Sequence, residues 1–204
     1  MIDRDSFFTH ARANPFGGAM KQDQVDGCNA ILDAWEARPD LTDCRWLAYM
    51  LATAKWETAH TMQPIEEYGR GQGRPYGVSI NGRVYYGRGY VQLTWATNYA
   101  RMAALTGADL VGHPERALEP KLAALIMIEG MKGGLFTGVG LPRYFGATIE
   151  DPVNARRIVN GTDRAEEIAA IHHAFLAALT DTAPAGNATD ACVAAPGWDP
   201  ARAA

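Results

Sequence analysis

The sequence predicts a mainly helical domain carrying one small β-hairpin, and three observations lead there. Apolar residues recur at intervals of three and four over several long stretches, and glycine and proline punctuate those stretches. The β-prone residues gather around Asn81-Gly82, a strong two-residue hairpin signal. At 204 residues, with 48% hydrophobic and 21% charged, the chain is sized for a single core. One domain is therefore expected over residues 1–180. Residues 181–204, dominated by Ala, Thr, Asp, Gly and Pro with Trp198 as the one large apolar residue, are expected to form a flexible tail.

Taken in order, a short helix over 6–13 is broken by Gly17-Gly18, and a second over 22–37 is ended by Pro39. Over 43–59, Trp46, Leu47, Met50, Leu51 and Ala54 mark an amphipathic helix with one buried stripe, capped by Asp43 or Thr42. The glycine-rich segment 64–89 is loop and hairpin, the hairpin over 78–86. Helices return over 95–105, stopped by Gly107, and over 120–132, opened by Pro120 and ended by Gly133-Gly134. A last helix over 163–179 starts with the capping-box spacing of Asp163 and Glu166.

Composition narrows the function classes. A net charge of -4 and a pI near 5.7 argue against a nucleic-acid binder that neutralises phosphates broadly. Cys28, Cys44 and Cys192 lie far apart without C-x-x-C spacing, which argues against a disulfide scaffold or zinc knuckle. The most apolar stretch, Leu122 to Met131, contains Glu129 and falls well short of the ~20 residues a bilayer span needs, so no membrane insertion is expected. Acidic residues at the amino terminus do not suit a signal peptide, which predicts a cytoplasmic protein, and a monomer is the default.

Glu57 continues the stripe of Met50 and Ala54 and stands at the end of its helix. Burial and the negative end of the helix dipole both favour a protonated carboxyl there, the state a general acid needs. The competing reading is a structural glutamate paired with an arginine such as Arg88, and position alone does not decide. Nine residues on, Glu66 and Glu67 flank the glycine-rich loop. Glycoside hydrolysis by inversion needs two carboxylates roughly 6.5 to 9.5 Å apart, which a helix end and a loop can provide. The same pair could equally be a solvated acidic loop.

Tyr86-Gly-Arg-Gly-Tyr-Val-Gln-Leu-Thr-Trp-Ala-Thr-Asn-Tyr99 resembles the Tyr-Gly-Arg-Gly-x-x-Gln-Leu-Ser/Thr-x-x-x-Asn-Tyr signature of family 19 glycoside hydrolases, which include chitinases and many phage endolysins. Trp56-Glu57-Thr58 resembles the family segment that carries the acid, and Arg157-Ile-Val-Asn-Gly161 a third segment. The resemblance spans about residues 47–179 and implies a lysozyme-like fold with Glu57 as general acid and Glu66 as general base, without metal or organic cofactor. It further implies that Thr94 helps Glu66 hold the attacking water, that Gln92, Asn98 and Asn160 bond sugar hydroxyls and acetamido groups, and that Tyr86 lines the cleft. Arg164, near the third segment, is a looser match to an arginine that orients the acid. Trp56 replaces a usual histidine, and Ala59-His60 a usual glycine pair.

Other patterns carry less. Glu57-Thr-Ala-His60 lacks the second motif of a di-metal site, and adjacent His172-His173 lack zinc-gripping spacing. Gly69–Gly73 lacks nucleotide-loop spacing. Trp46, Trp56 and Trp95 are candidates for stacking on sugar or for the core. Arg70, Arg74, Arg83 and Arg88 concentrate positive charge beside the expected site, which favours peptidoglycan, with its lactyl and peptide carboxylates, over chitin. The expected activity is that of an endolysin-type muramidase acting on peptidoglycan glycan strands, cytoplasmic until a separate membrane-permeabilising protein releases it to the wall. The alternatives are a chitinase and an inactive wall-binding module.

Overall fold

A computed structural model describes residues 1–180, so the expected tail lies outside the described residues. Six α-helices form the body: α1 (Arg4–Ala13), α2 (Gln22–Glu36), α3 (Cys44–Glu57), α4 (Ala96–Thr106), α5 (Pro120–Gly133) and α6 (Ala165–Thr180). Two short antiparallel pairs accompany them, β1 (Ile65–Glu66) with β2 (Arg88–Gly89), and β3 (Phe145–Gly146) with β4 (Ile149–Glu150). No helix among the described residues is long and apolar enough to cross a membrane.

The core is built around α3, which packs most extensively on α6 and also touches α2 and α5. Every residue from Leu47 to Lys55 is buried, so the helix is enclosed on all sides and does not show the single stripe its periodicity predicts. Small side chains at Ala48, Ala52 and Thr53 let neighbours approach the faces that the larger residues leave. Asp43 caps it as expected, its carboxylate accepting from the Arg45 amide at 3.0 Å. α5 buries Leu122, Ile126, Met127 and Met131, while Glu129 at its rim pairs with Arg38. α1 closes the opposite side, where Phe7 stacks on Phe175 of α6 at 6.3 Å. Cys28 is a free, buried thiol whose pKa burial pushes up to about 12, so it does not bridge to Cys44.

Two further expectations change. Asn81 and Gly82 do form a tight turn, both at positive φ, but the ladder shrinks to one bridge between Ile80 and Arg83. Val78 and Ile80 stay exposed, and with no surface to cover them the strands gain nothing by extending. The pairing that shapes the site is instead β1 with β2, where Glu66 lies opposite Arg88. The capping box at Asp163 does not form either. Arg164 takes a left-handed φ of 57°, α6 begins at Ala165, and the Asp163 carbonyl accepts from Arg156.

Candidate active site

Glu57 is the last residue of α3, and its side chain is only 15% exposed. Its Oε1 accepts from Nη1 of Arg156 at 2.5 Å, and Arg156 is itself buried at 4%. Arg156 sits in the short 3-10 helix Asn154–Ile158 and is held from behind by its Nε donating to the Asp163 carbonyl. The glutamate therefore does pair with an arginine, but neither Arg88 nor Arg164 is the partner: Arg164 pairs with Glu167 at the surface. No other hydrogen bond engages Oε2 among the described residues, which leaves that oxygen for a ligand.

The turn after Glu57 is strained. Ala59, His60 and Met62 have φ of 49°, 66° and 57°, in the left-handed region that disfavours side chains. Ala59 and His60 are the two that stand where the resembled signature has a glycine pair. The turn is held by Thr58, whose Oγ1 accepts from the Met62 amide at 3.0 Å, by the Lys55 ammonium donating to His60 Nδ1 at 2.7 Å, and by Gln24 donating to the His60 carbonyl at 2.9 Å. Ala59 is exposed, so Ala59→Gly removes strain without removing packing. Offset by the freedom glycine has when unfolded, a gain of about 0.5–1 kcal/mol is expected, read as a rise in urea midpoint at unchanged slope.

Glu66 and Glu67 divide their tasks. Glu67 is a clasp: its Oε1 accepts from the Tyr76 hydroxyl at 2.7 Å and its Oε2 from the Gly87 amide at 3.0 Å. Glu66 is 30% exposed, with Oε1 accepting from the Tyr86 hydroxyl at 2.6 Å and Oε2 meeting the exposed guanidinium of Arg70 at 2.8 Å. Burial and donation to Glu66 push the Tyr86 phenol above its ordinary range, so it remains a donor throughout neutral pH. Arg88 lies under the Tyr86 ring, 3.6 Å from its centroid, and donates to the Val84 carbonyl and the Tyr99 hydroxyl. It is buried and structural, which removes it from the four arginines expected to face a substrate. Arg83 donates to the Gly112 carbonyl, while Arg70 is the exposed cation on Glu66 and Arg74 is exposed on the same loop beside Tyr76.

The signature segment accounts for its own spacing. A Cβ at Gly87 would lie 2.8 Å from Gln92 Oε1, and Gly89, at φ 87°, approaches the Ala117 carbonyl just as closely. Gln92 donates to the carbonyls of Ile65 at 3.2 Å and Gly89 at 3.3 Å, so its amide group fastens β1 to β2. Tyr99 is buried, its hydroxyl donating to the Tyr86 carbonyl at 2.8 Å. Thr94 and Asn98 are half-buried and their side chains have no hydrogen bond within the described residues. Asn160 is exposed and its Oδ1 accepts from the neighbouring Gly161 amide. Of the tryptophans, Trp46 donates to the Phe145 carbonyl and Trp56 packs against His60, while Trp95 is 47% exposed with its ring edge against Tyr76.

Two groups thus emerge: Glu66 with Tyr86, Arg70, Arg88 and Gln92, and Glu57 with Arg156, whose segment also carries Asn160. Sequence reading missed Arg156, Tyr99 and the clasp role of Glu67. The signal for Arg156 was its place one residue before the Arg157–Gly161 segment, in an arginine pair flanked by the apolar Ala155 and Ile158.

No protein-family profile and no curated sequence matches the chain. Solved structures do. Chitinase C from Streptomyces griseus HUT6037 aligns over 90% of this chain and 78% of its own with a TM-score of 0.61 and 20% identity. A bacterial family 19 chitinase aligns over 91% of this chain and 98% of its own, with a TM-score of 0.51 and 21% identity. At this identity the likeness speaks for architecture: the chain has the lysozyme-like, mainly helical fold of bacterial family 19 chitinases.

Proposed function

We propose that this chain hydrolyses β-1,4 links of an N-acetylhexosamine polymer by inversion, and that its substrate is peptidoglycan. The observation that carries the reading is a pair of half-buried carboxylates, each oriented by its own partner, in the fold of family 19 chitinases. Arg156 holds Oε1 of Glu57, and a proton on Oε2 passes to the glycosidic oxygen as that bond breaks. Tyr86 holds Oε1 of Glu66, and Oε2, once Arg70 turns aside to solvent, takes a proton from the water that attacks the anomeric carbon. Thr94 steadies that water. Gln92 contributes by fixing the floor beneath Glu66, while Asn98, Asn160 and Trp95 meet the sugars. The residues need no metal or organic cofactor for this reaction. The protein acts as a monomer, stays in the cytoplasm until release and then meets the wall.

The exposed Arg70 and Arg74 favour an anionic polymer. The structural neighbours, chitinases by name, favour chitin, which is the second reading. Purified peptidoglycan and chitin oligosaccharides are to be digested in parallel and the products read by mass spectrometry. Wall fragments with reducing N-acetylmuramic acid ends support the muramidase, cleavage of chitin alone replaces it with a chitinase, and cleavage of neither leaves a wall-binding module. In the Arg70→Gln/Arg74→Gln variant the ratio of wall to chitin cleavage should fall roughly fivefold, about 1 kcal/mol of lost charge complementarity. Taking the ratio cancels whatever the loss of Arg70 does to Glu66 itself, and an unchanged ratio would remove the electrostatic argument for peptidoglycan.

A further inference from the structure

His172 is wholly buried on α6, and neither ring nitrogen makes a hydrogen bond. A buried imidazole with two bare nitrogens is costly unless something else uses them. The rings of Tyr49 and Phe145 pack on it at 5.7 and 5.2 Å and offer no acceptor to either nitrogen. The polar group it faces is Glu150 on β4, whose Oε1 lies 3.9 Å from Nε2, beyond hydrogen-bond range. His173 follows directly. Adjacent helical residues diverge by about 100°, yet here one donor atom from each of Glu150, His172 and His173 lies within 4.8 Å of the others.

We propose that Glu150, His172 and His173 bind a divalent transition-metal ion of the zinc class, tying the β3–β4 pair to α6. Two imidazoles and one carboxylate suit zinc, cobalt or nickel, with water completing a tetrahedron. Bonds of about 2.0–2.2 Å would place the donor atoms roughly 3.3 Å apart, so separations of up to 4.8 Å must close by as much as about 1.5 Å. Glu150 and His173 are half-buried at the rim and free to turn inward, whereas His172 is already fixed.

The surrounding charge permits a cation. Arg45 Nη1 stands 3.7 Å from the other oxygen of Glu150, but its guanidinium is engaged by Asp43 at 2.5 and 2.9 Å and by the Gly146 carbonyl at 3.1 Å. Asp43, Arg45 and Glu150 together carry one formal net negative charge. His172 packs on Tyr49, which stands roughly 12 Å before Glu57 along α3. None of the three ligands is a residue of the glycan site, and occupancy is read by stability and cobalt absorption, not by activity.

The full-length protein, stripped of metal, is to be titrated with Zn²⁺ alone during thermal unfolding and with Co²⁺ alone under visible absorption. At a hundredfold excess over Kd the Tm should rise by roughly 5–10 °C, and Co²⁺ should give the d–d bands of a four-coordinate nitrogen and oxygen site. Glu150→Gln and His173→Gln, both at the rim, should fold with a metal-free Tm near that of the native chain, lose the Zn²⁺ increment and weaken Co²⁺ at least tenfold. A Tm indifferent to Zn²⁺ would overturn the site, as would an increment that survives in both variants. Thiolate-to-cobalt charge-transfer bands would place the ion on a cysteine and equally refute it.

Discussion

Glu57→Gln is expected to reduce glycan cleavage by roughly 10²–10⁴-fold, the usual contribution of a positioned general acid. Glutamine keeps the shape and can still accept from Arg156 at the Oε1 position, but it has no proton of the required acidity to give the leaving oxygen. The conservative change matters because Arg156 is 4% exposed. Glu57→Ala would strand a buried guanidinium, which typically costs about 3–5 kcal/mol, and lost activity would then be indistinguishable from lost fold. Glu66→Gln should be comparably inactive, since an amide cannot take the proton from water. Tyr86→Phe should fall only about 10–100-fold, the equivalent of one hydrogen bond to a charged group. Initial rates on the preferred polymer, alongside circular dichroism and Tm, check the set. If either glutamine variant retains more than about a tenth of native activity while folded, the two-carboxylate reading fails.

That ordering also tests how the partners were assigned, because the sequence was informative about some of them and mute about others. Helices over α2, α3, α4 and α5 were legible within a residue or two from apolar spacing, from Asp43 at one start and from Gly107 and Gly134 at two ends. Those are local signals, and the residues that carry them do what local physics requires. The signature from Tyr86 to Tyr99 was legible as a unit, but its division of labour was not: Tyr99 and Arg88 turn out to brace Tyr86, and Gln92 fastens β1 to β2. Arg156 was invisible as the partner of Glu57 because 99 residues separate them, and no periodicity reports a contact of that range. The predicted 78–86 ladder failed for a related reason. Its turn is local and formed, whereas its strands needed a tertiary surface that this region does not offer. At the start of α6, a capping-box spacing lost to a demand from outside the helix, the Asp163 carbonyl held by Arg156 seven residues earlier.

The second large effect runs against what sequence alone would forecast. Gly27 lies inside α2, where helix propensity says that alanine should improve stability by about 1 kcal/mol. In the fold, a Cβ at that position would stand 1.7 Å from the Met62 carbonyl oxygen and 2.6 Å from its carbon. Those are backbone atoms of the strained turn that follows Glu57, and that turn is already fixed by Thr58 and by Gln24 of the same helix. No side chain can swing away to make room, so either α2 or the turn must move. Gly27→Ala should therefore cost more than about 3 kcal/mol, lowering Tm by roughly 6–12 °C for a chain of this length. Activity of the surviving folded fraction should fall as well, because the turn sets where α3 ends and thus where the Glu57 carboxylate stands. Thermal unfolding of Gly27→Ala beside Ala59→Gly separates the two forces at work. A stabilised Gly27→Ala would mean that α2 is not seated on the Met62 carbonyl and that the turn is held from α3 alone. Opposite signs for the two variants would mean that left-handed strain after the acid is tolerated because a side-chain-free helix face clamps it.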